Sequence, residues 1–517
     1  MWLNYLTLIL YLGAMIFIAL YTRKRSKTVD DFLLAGKSGL NGWMSAFSYG
    51  TTYFSAVIFI GYAGKFGWEY GLASVWIGVA NAIFGGLLAW IVLAKRTKNM
   101  TVRLSAKTMP EFFEKRYESK FLRIISAIII FVFLIPYSAS VYNGLGNLFE
   151  IMMGINGTIV VLILAVITAL YLVFGGYFAT SLSDFIQGII MLVGVIVMVV
   201  FFLISPNVNG AEGIKELISK DFGFFVSFGD KGFLSSPLVM LVSLILLTSF
   251  GVYGLPQTVH KYYSVRDKNA VKQGMIVSTI FAFIVGCAAY FIGGLSRLFF
   301  TDNNAFNGVT DNIVPFMLND VMLVGFFGLV GVLVLSASMS TLASVSLSSA
   351  SVVSVDLYKG AINKNASDKK VTLIMRIMCF IFVLISVVIA MLNKKYNITA
   401  IAYLMSLSWG TLSGCFFGPY VLGLYSKKIT KTASIVSVIS GVIITIILTI
   451  VFGLINTDAG ASFGVVLKAG VALSPLTGVL CMICSIIITI IVSLFTKKPS
   501  SEALTEAFSK KIENEII

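Results

Sequence analysis

Uncharged apolar runs recur from residue 3 to residue 495 and leave no polar block longer than about 30 residues between them. Each run is long enough for a tilted helix of roughly 20 residues to cross a bilayer. Thirteen such spans are expected, near 3–22, 43–68, 72–94, 121–150, 157–174, 182–204, 233–260, 270–299, 321–356, 371–392, 398–425, 434–455 and 474–495. With 58% hydrophobic and 12% charged residues in 517, the chain is an all-α polytopic membrane protein, with no room for a fused kinase or nucleotide-binding domain.

The net charge of +15 would suit nucleic acid in a soluble protein, so its placement decides its meaning. The loops 23–42, 95–123, 261–272, 358–370 and 426–433 and the tail after 496 hold 29 of the 38 Lys and Arg. The opposite loops hold seven (Lys65, Lys215, Lys220, Lys231, Lys394, Lys395 and Lys468), and Arg297 and Arg376 lie in or at the ends of spans. Basic residues stay cytoplasmic, so the expected topology is N-terminus outside and C-terminus inside, in the plasma (inner) membrane. The partner implied by the charge is the lipid bilayer, not nucleic acid. Arg23, Lys24 and Arg25 follow the first span rather than precede it, as in a retained helix rather than a signal peptide.

Enzyme chemistry is poorly supplied. A single histidine, His260, excludes the common zinc sites and histidine-centred acid–base pairs. All five cysteines lie in apolar spans, so no disulfide framework or exposed redox motif is expected. Of 23 Asp and Glu, Asp184 alone falls in or at the mouth of a span without a loop to explain it, while Glu69, Glu150 and Asp356 mark span ends. A charge in a bilayer costs ~3 kcal/mol or more, so Asp184 is expected to be functional.

Two spans carry helix breakers at their centres. Span two contains Ser48-Tyr49-Gly50-Thr51-Thr52-Tyr53-Phe54-Ser55-Ala56, and span seven contains Phe250-Gly251-Val252-Tyr253-Gly254-Leu255-Pro256. Discontinuous helices free carbonyls at mid-membrane and mark transporter binding sites. Their spacing of five spans suggests two halves, the second reversed in the membrane. Span nine carries hydroxyls from Ser336 to Ser354; most suit close helix packing, but Ser340, Thr341 and Ser344 share one helical face. A dehydrated monovalent cation needs about five or six neutral oxygens, which freed carbonyls and these hydroxyls can supply. Asp184 could neutralise a second cation near Ser344. Tyr53, Ser55, Asn81, Tyr137, Tyr142, Tyr253 and Gln257 would line a solute site of aromatic faces with few polar groups.

Four motifs carry a resemblance over nearly the whole chain: Asp30-Asp31-Phe32-Leu33-Leu34-Ala35-Gly36-Lys37, Gly175-Gly176-Tyr177-Phe178-Ala179-Thr180-Ser181-Leu182-Ser183-Asp184-Phe185-Ile186-Gln187, Met339-Ser340-Thr341-Leu342 and Asp356-Leu357-Tyr358-Lys359. The chain resembles the sodium/solute symporter family, which includes proline, pantothenate, sialic acid and galactose symporters. The resemblance implies a LeuT-type core of ten helices in two inverted five-helix repeats, with one extra helix before it. It maps the family's sodium site to Thr51, Phe54, Ala337, Ser340 and Thr341. A second sodium site, present in some members, maps to Asp184, Ser340 and Ser344, with Ala343 where two-sodium members can have serine. At the positions where proline symporters carry Asp, Trp and Tyr this chain has Tyr53, Thr248 and Val252, and span four lacks the arginine of sialic acid symporters. The segments around Tyr53 and from Phe250 through Val252 to Pro256 look closest to pantothenate symporters, which adds Val252 and Pro256 to the expected solute site.

The expected organisation is an extra helix and loop over 1–42, a first repeat over 43–205, an external loop over 206–232, a second repeat over 233–425, two peripheral helices over 426–495 and a tail over 496–517. The expected function is symport of sodium with a small polar organic solute, pantothenate-like or another small carboxylate. A proton-coupled carrier using Asp184 and a transporter-like membrane sensor are the alternatives.

Overall fold

The computed structural model describes residues 2–22, 28–34, 39–220, 222–227, 234, 236–321, 327–396 and 398–509. Arg23, Lys24, Arg25, residues 35–37 of the first motif, Lys231 and residues 322–326 of the ninth span lie outside them. Nine helices among the described residues are long and apolar enough to cross a membrane, and a bent pair, Pro237–Tyr253 with Pro256–Tyr263, makes a tenth. Two of these runs, Val57–Arg103 and Gly157–Ile204, turn back on themselves. The segment Ile401–Tyr425 adds a further crossing, giving the thirteen expected.

The turns sit at two glycines in the positive-φ region that side chains disfavour, Gly71 (φ 57°) and Gly176 (φ 64°). Their effect is visible along the straight helix Lys268–Gly294. The run from Gly42 to Gly67 lies parallel to it, with Gly42 at Gln273, Gly50 at Phe281 and Gly67 at Gly293. The run after Gly71 lies antiparallel, with Gly71 at Gly294, Gly78 at Cys287 and Trp90 at Gly274. At the second turn Gly157 adjoins Lys394 and Phe202 packs on Phe299 at one face, whereas Tyr177 meets Ser264 at the other. The loop expected between spans five and six is therefore the single residue Gly176, and residues 177–181 are helical, because one positive-φ residue suffices to reverse the chain.

We number the helices that position the site: α1 Trp2–Thr22, α2 Gly42–Tyr53, α3 Ala63–Tyr70, α4 Lys120–Met153, α5 Gly157–Ile204, α6 Pro237–Phe250, α7 Pro256–Tyr263, α8 Lys268–Gly294, α9 Phe327–Ser351, α10 Asp368–Tyr396 and α11 Ile401–Phe417. The pair α2–α3 starts at the face that carries most basic loops, where Leu40 bridges Val265 and Lys107 pairs with Asp30 at 2.6 Å. The pair α6–α7 ends at that face. The two interrupted helices thus run in opposite directions, as inverted halves require.

α9 is the central pillar: 94% of an 18-residue stretch of its span is buried, against 33% for the corresponding stretch of the peripheral helix Lys431–Ile455. A helix enclosed on every side needs small residues where neighbours approach, which accounts for most of its serines. Ser346 and Ser349 make no hydrogen bond through their hydroxyls, and Ser336 faces only the Tyr11 hydroxyl.

Glycine also sets the close approach of α3 to α8. A Cβ on Gly293 would stand 1.9 Å from the Ala63 carbonyl oxygen, a backbone atom that cannot rotate away. Gly293→Ala should cost about 1–3 kcal/mol through forced separation of these helices. Gly13→Ala, where nothing lies within 4 Å, should cost far less. Thermal denaturation of the detergent-solubilised variants distinguishes the two.

Candidate ion and solute site

The ladder of α2 ends at Phe54, whose backbone is extended (φ −111°, ψ 117°), and helix resumes from Ser55, whose carbonyl accepts from Ile58 N–H at 3.0 Å. In a continuous helix Ala56 and Val57 N–H would bond the carbonyls of Thr52 and Tyr53. They bond side chains instead: Ala56 N–H donates to Ser338 Oγ at 3.3 Å and Val57 N–H to Ser55 Oγ at 3.2 Å. Of the carbonyls before the break, those of Thr51 and Thr52 face α9, where Thr341 Oγ1 stands 3.4 Å from each and 3.1 Å from Ala337 O. Ser340 Oγ lies 2.7 Å from Thr51 Oγ1 and 2.6 Å from Asp184 Oδ1. Thr51 Oγ1 is also 2.7 Å from Phe47 O.

These contacts outnumber their protons. Thr51, Ser340 and Thr341 each carry one hydroxyl hydrogen, yet among them they make six contacts with oxygen at 2.6–3.4 Å. Carbonyls and a carboxylate supply none. The cluster is rich in acceptors, which suits a monovalent cation.

The expected sodium ligands Thr51, Ala337, Ser340 and Thr341 are thus gathered in one place, with Phe54 at the break itself. Asp184 and Ser344 lie immediately beside them, both at most 5% exposed. A residue expected in a solvated loop is there too. Lys261 is 2% exposed on α7, and its Nζ donates to Ser344 Oγ at 2.8 Å and to Ser48 Oγ at 2.9 Å, and stands 3.5 Å from Asp184 Oδ2. Ser48 Oγ in turn donates to Asp184 Oδ2 at 2.5 Å, and Thr52 Oγ1 lies 2.9 Å from Ser344 Oγ. The helix that begins at Pro256 continues to Tyr263, so Lys261 points inward rather than into the loop. Its neighbours His260, Tyr262 and Tyr263, unlike those of a solvated basic loop, were the available signal.

Further from the ion cluster, Tyr53 donates to Thr248 O at 2.7 Å across the break of the other half, and its ring stacks on Trp409 with centroids 6.0 Å apart. Tyr137 meets Trp409 edge-on at 5.7 Å. Asn81 Oδ1 accepts from Thr248 at 2.8 Å and from Ser249 at 3.1 Å. Between the breaks, four polar atoms of expected solute residues and of Trp409 lack a well-aligned hydrogen bond: Asn81 Nδ2, Tyr137 OH, Trp409 Nε1 and Gln257 Oε1, with Tyr137 OH directed at Thr341 and Ser55. Three of the four are donors. Ser55 joins this group beside Tyr137. Val252, Tyr253 and Pro256 sit in the second break, where Leu255 is extended, Pro256 opens α7 and Ser413 Oγ donates to the Gly251 carbonyl at 2.7 Å. Tyr253 points past this cluster, donating to Phe84 O at 2.9 Å and stacking on Phe417. Tyr142 is directed at Thr168 on α5 and stands apart. Trp409 was not anticipated, although it is a lone indole among small residues in Ser406-Leu407-Ser408-Trp409-Gly410-Thr411.

A model of the sodium:solute symporter family matches residues 32–441. The chain belongs to the sodium:solute symporter family. It is 27% identical over 502 residues to the osmoregulated proline transporter OpuE of Bacillus subtilis, covering 95% of this chain and 94% of that protein. It is 27% identical over 452 residues to the sodium/pantothenate symporter of Haemophilus influenzae, covering 86% of this chain and 90% of that one. Among solved structures, a substrate-bound, outward-open Na+-coupled sialic acid symporter shares its fold at a TM-score of 0.72 and 19% identity, covering 96% of this chain and 99% of that chain. The architecture is thus that of the inverted-repeat transporters, in a multi-pass membrane protein whose relatives are transporters.

Removing one partner of a buried ion pair leaves an uncompensated charge and costs about 3–5 kcal/mol. Asp184→Asn and Lys261→Met should each destabilise the protein by that order in sodium-free buffer, and the double variant should be more stable than either single one. A double-mutant cycle of thermal denaturation in potassium checks this.

Proposed function

We propose that this family member couples sodium entry to uptake of a small polar carboxylate. The observation that carries the sodium site is the proton-poor cluster of Thr51, Ser340, Thr341 and the Ala337 carbonyl against the broken end of α2. The ion is held by the Thr51 and Phe54 carbonyls of one half and by Ala337 O, Ser340 and Thr341 of the other, so binding draws the two halves together. Alternating access then follows from rocking one half against the other around the site.

The solute site lies between the breaks, formed by Tyr53, Ser55, Asn81, Tyr137 and Gln257 with Trp409, and with Val252, Tyr253 and Pro256 shaping the second break. The Asn81 Nδ2 and Trp409 Nε1 donors, with the Tyr137 hydroxyl beside them, suit carboxylate oxygens, and the aromatic faces suit the carbon skeleton of such a solute. Proline and pantothenate, carried by the relatives as their names state, are both small carboxylates. The repeats correspond to residues 43–205 and 233–425, with 1–42, 206–232, 426–495 and 496–517 outside the core. The concentration of basic loops at one face supports a cytoplasmic C-terminus and an external N-terminus in the plasma membrane.

Uptake by the purified protein in liposomes, with inward sodium or potassium gradients and a panel of pantothenate, proline, other amino acids, sugars and sialic acid, tests this. Sodium-dependent accumulation of a carboxylate is expected. Ser340→Ala and Thr341→Ala should each weaken sodium dependence about tenfold, the loss of one oxygen on a charged ligand. Trp409→Phe should weaken solute binding while leaving sodium binding intact. Sodium dependence unchanged in both hydroxyl variants would reject the ion site.

A further inference from the structure

We infer that the Lys261 ammonium is a tethered cation filling what would otherwise be a second monovalent-cation site, so that the protein binds one sodium ion and not two. This rests on the sodium-coupled reading above. Nζ stands among Ser48 Oγ, Ser344 Oγ and Asp184 Oδ2, at 2.9, 2.8 and 3.5 Å. Two hydroxyls and a carboxylate are three of the about five or six oxygens a sodium ion takes, and Thr52 Oγ1, 2.9 Å from Ser344 Oγ, stands beside them. Every member of the shell is buried: Ser48 at 0%, Asp184 at 1% and Ser344 at 5%.

Charge balance supports exclusion rather than coexistence. Asp184 and Lys261 neutralise each other, and a sodium ion added between them would leave an unpaired positive charge in a region closed to water, which is costly. In the proton-poor cluster next door the ammonium occupies no oxygen: the Thr51, Thr52 and Ala337 carbonyls and the Thr341 hydroxyl stand free of it, and Ser340 alone links that cluster to Asp184. The ammonium arrives from α7, the half-helix beyond the Pro256 break, while Ser48 and Asp184 stand on α2 and α5. The tether therefore crosses between the two halves of the fold.

The number of sodium ions bound per chain decides the matter. Equilibrium binding of radioactive sodium to purified protein should give one ion for the unaltered chain, two for Lys261→Met, and one for Lys261→Met combined with Asp184→Asn. Lys261→Gln replaces Lys261→Met if the latter does not elute as a folded monodisperse protein. Two ions on the unaltered chain overturn the inference without any variant. So does one ion on both the unaltered chain and a folded Lys261 variant, or two on the double variant. No ion on the unaltered chain but one on the Lys261 variant would reject sodium coupling while upholding the tethered cation, and none on either rejects both.

Discussion

A backbone that leaves its helical ladder inside a bilayer has no water to bond, and every freed group must find a partner within the protein. The two interruptions at Phe54 and at Gly251–Pro256 impose that demand on the rest of the structure. Ser338, Ser55 and Ser413 answer part of it by bonding backbone groups near the breaks. Tyr53 links the two interruptions by donating to the carbonyl of Thr248, in the last turn of α6 before the second break. What remains is a group of carbonyls and hydroxyls with too few protons, and that shortage makes the centre a place for a cation. The site follows from the need to mend broken helices incompletely.

The enclosure of α9 follows from the same demand. Hydroxyls can reach the break only if the helix that bears them comes close, and small side chains permit that approach. The serines of α9 therefore divide by environment. Ser340, Thr341 and Ser344 face the break and Asp184, Ser338 meets the backbone at Ala56, and Ser336, Ser346 and Ser349 fill space between helices. Chemically identical residues a turn or two apart thus have different tasks, set by what lies opposite.

The ion pair between Asp184 and Lys261 shows how charge is tolerated here. Each would be expensive alone, and the pair is retained with hydroxyls on both partners. With those hydroxyls it joins four helices from both halves, α2, α5, α7 and α9, at the end of the site nearer the basic face. An arrangement of this kind gives the structure a definite electrostatic register, since any relative movement of α5 and α7 must separate the two charges or carry them together.

Hydropathy and glycine placement made much of this legible. Apolar run length is a local property, so the crossings, the two interruptions and the inward placement of Asp184 could be read from the chain, and even the reversal at Gly176 lay within a noticed motif. The hydroxyl face of Ser340, Thr341 and Ser344 followed from helical period alone. Lys261 could not be read in this way. The rule that assigns basic residues to loops is a rule about averages, and its failure here depends on the α7 helix continuing past Pro256 and on Asp184, 77 residues earlier in sequence, being brought opposite. Trp409 likewise acquires its meaning from Tyr53 and Tyr137, which reach it from separate helices. By itself the sequence determined the class of fold, the crossings and the points where the helices break, because these are set by neighbouring residues. Only the tertiary structure decided which charge answers Asp184 and which donors are left without partners, because those depend on contacts between helices far apart in the chain.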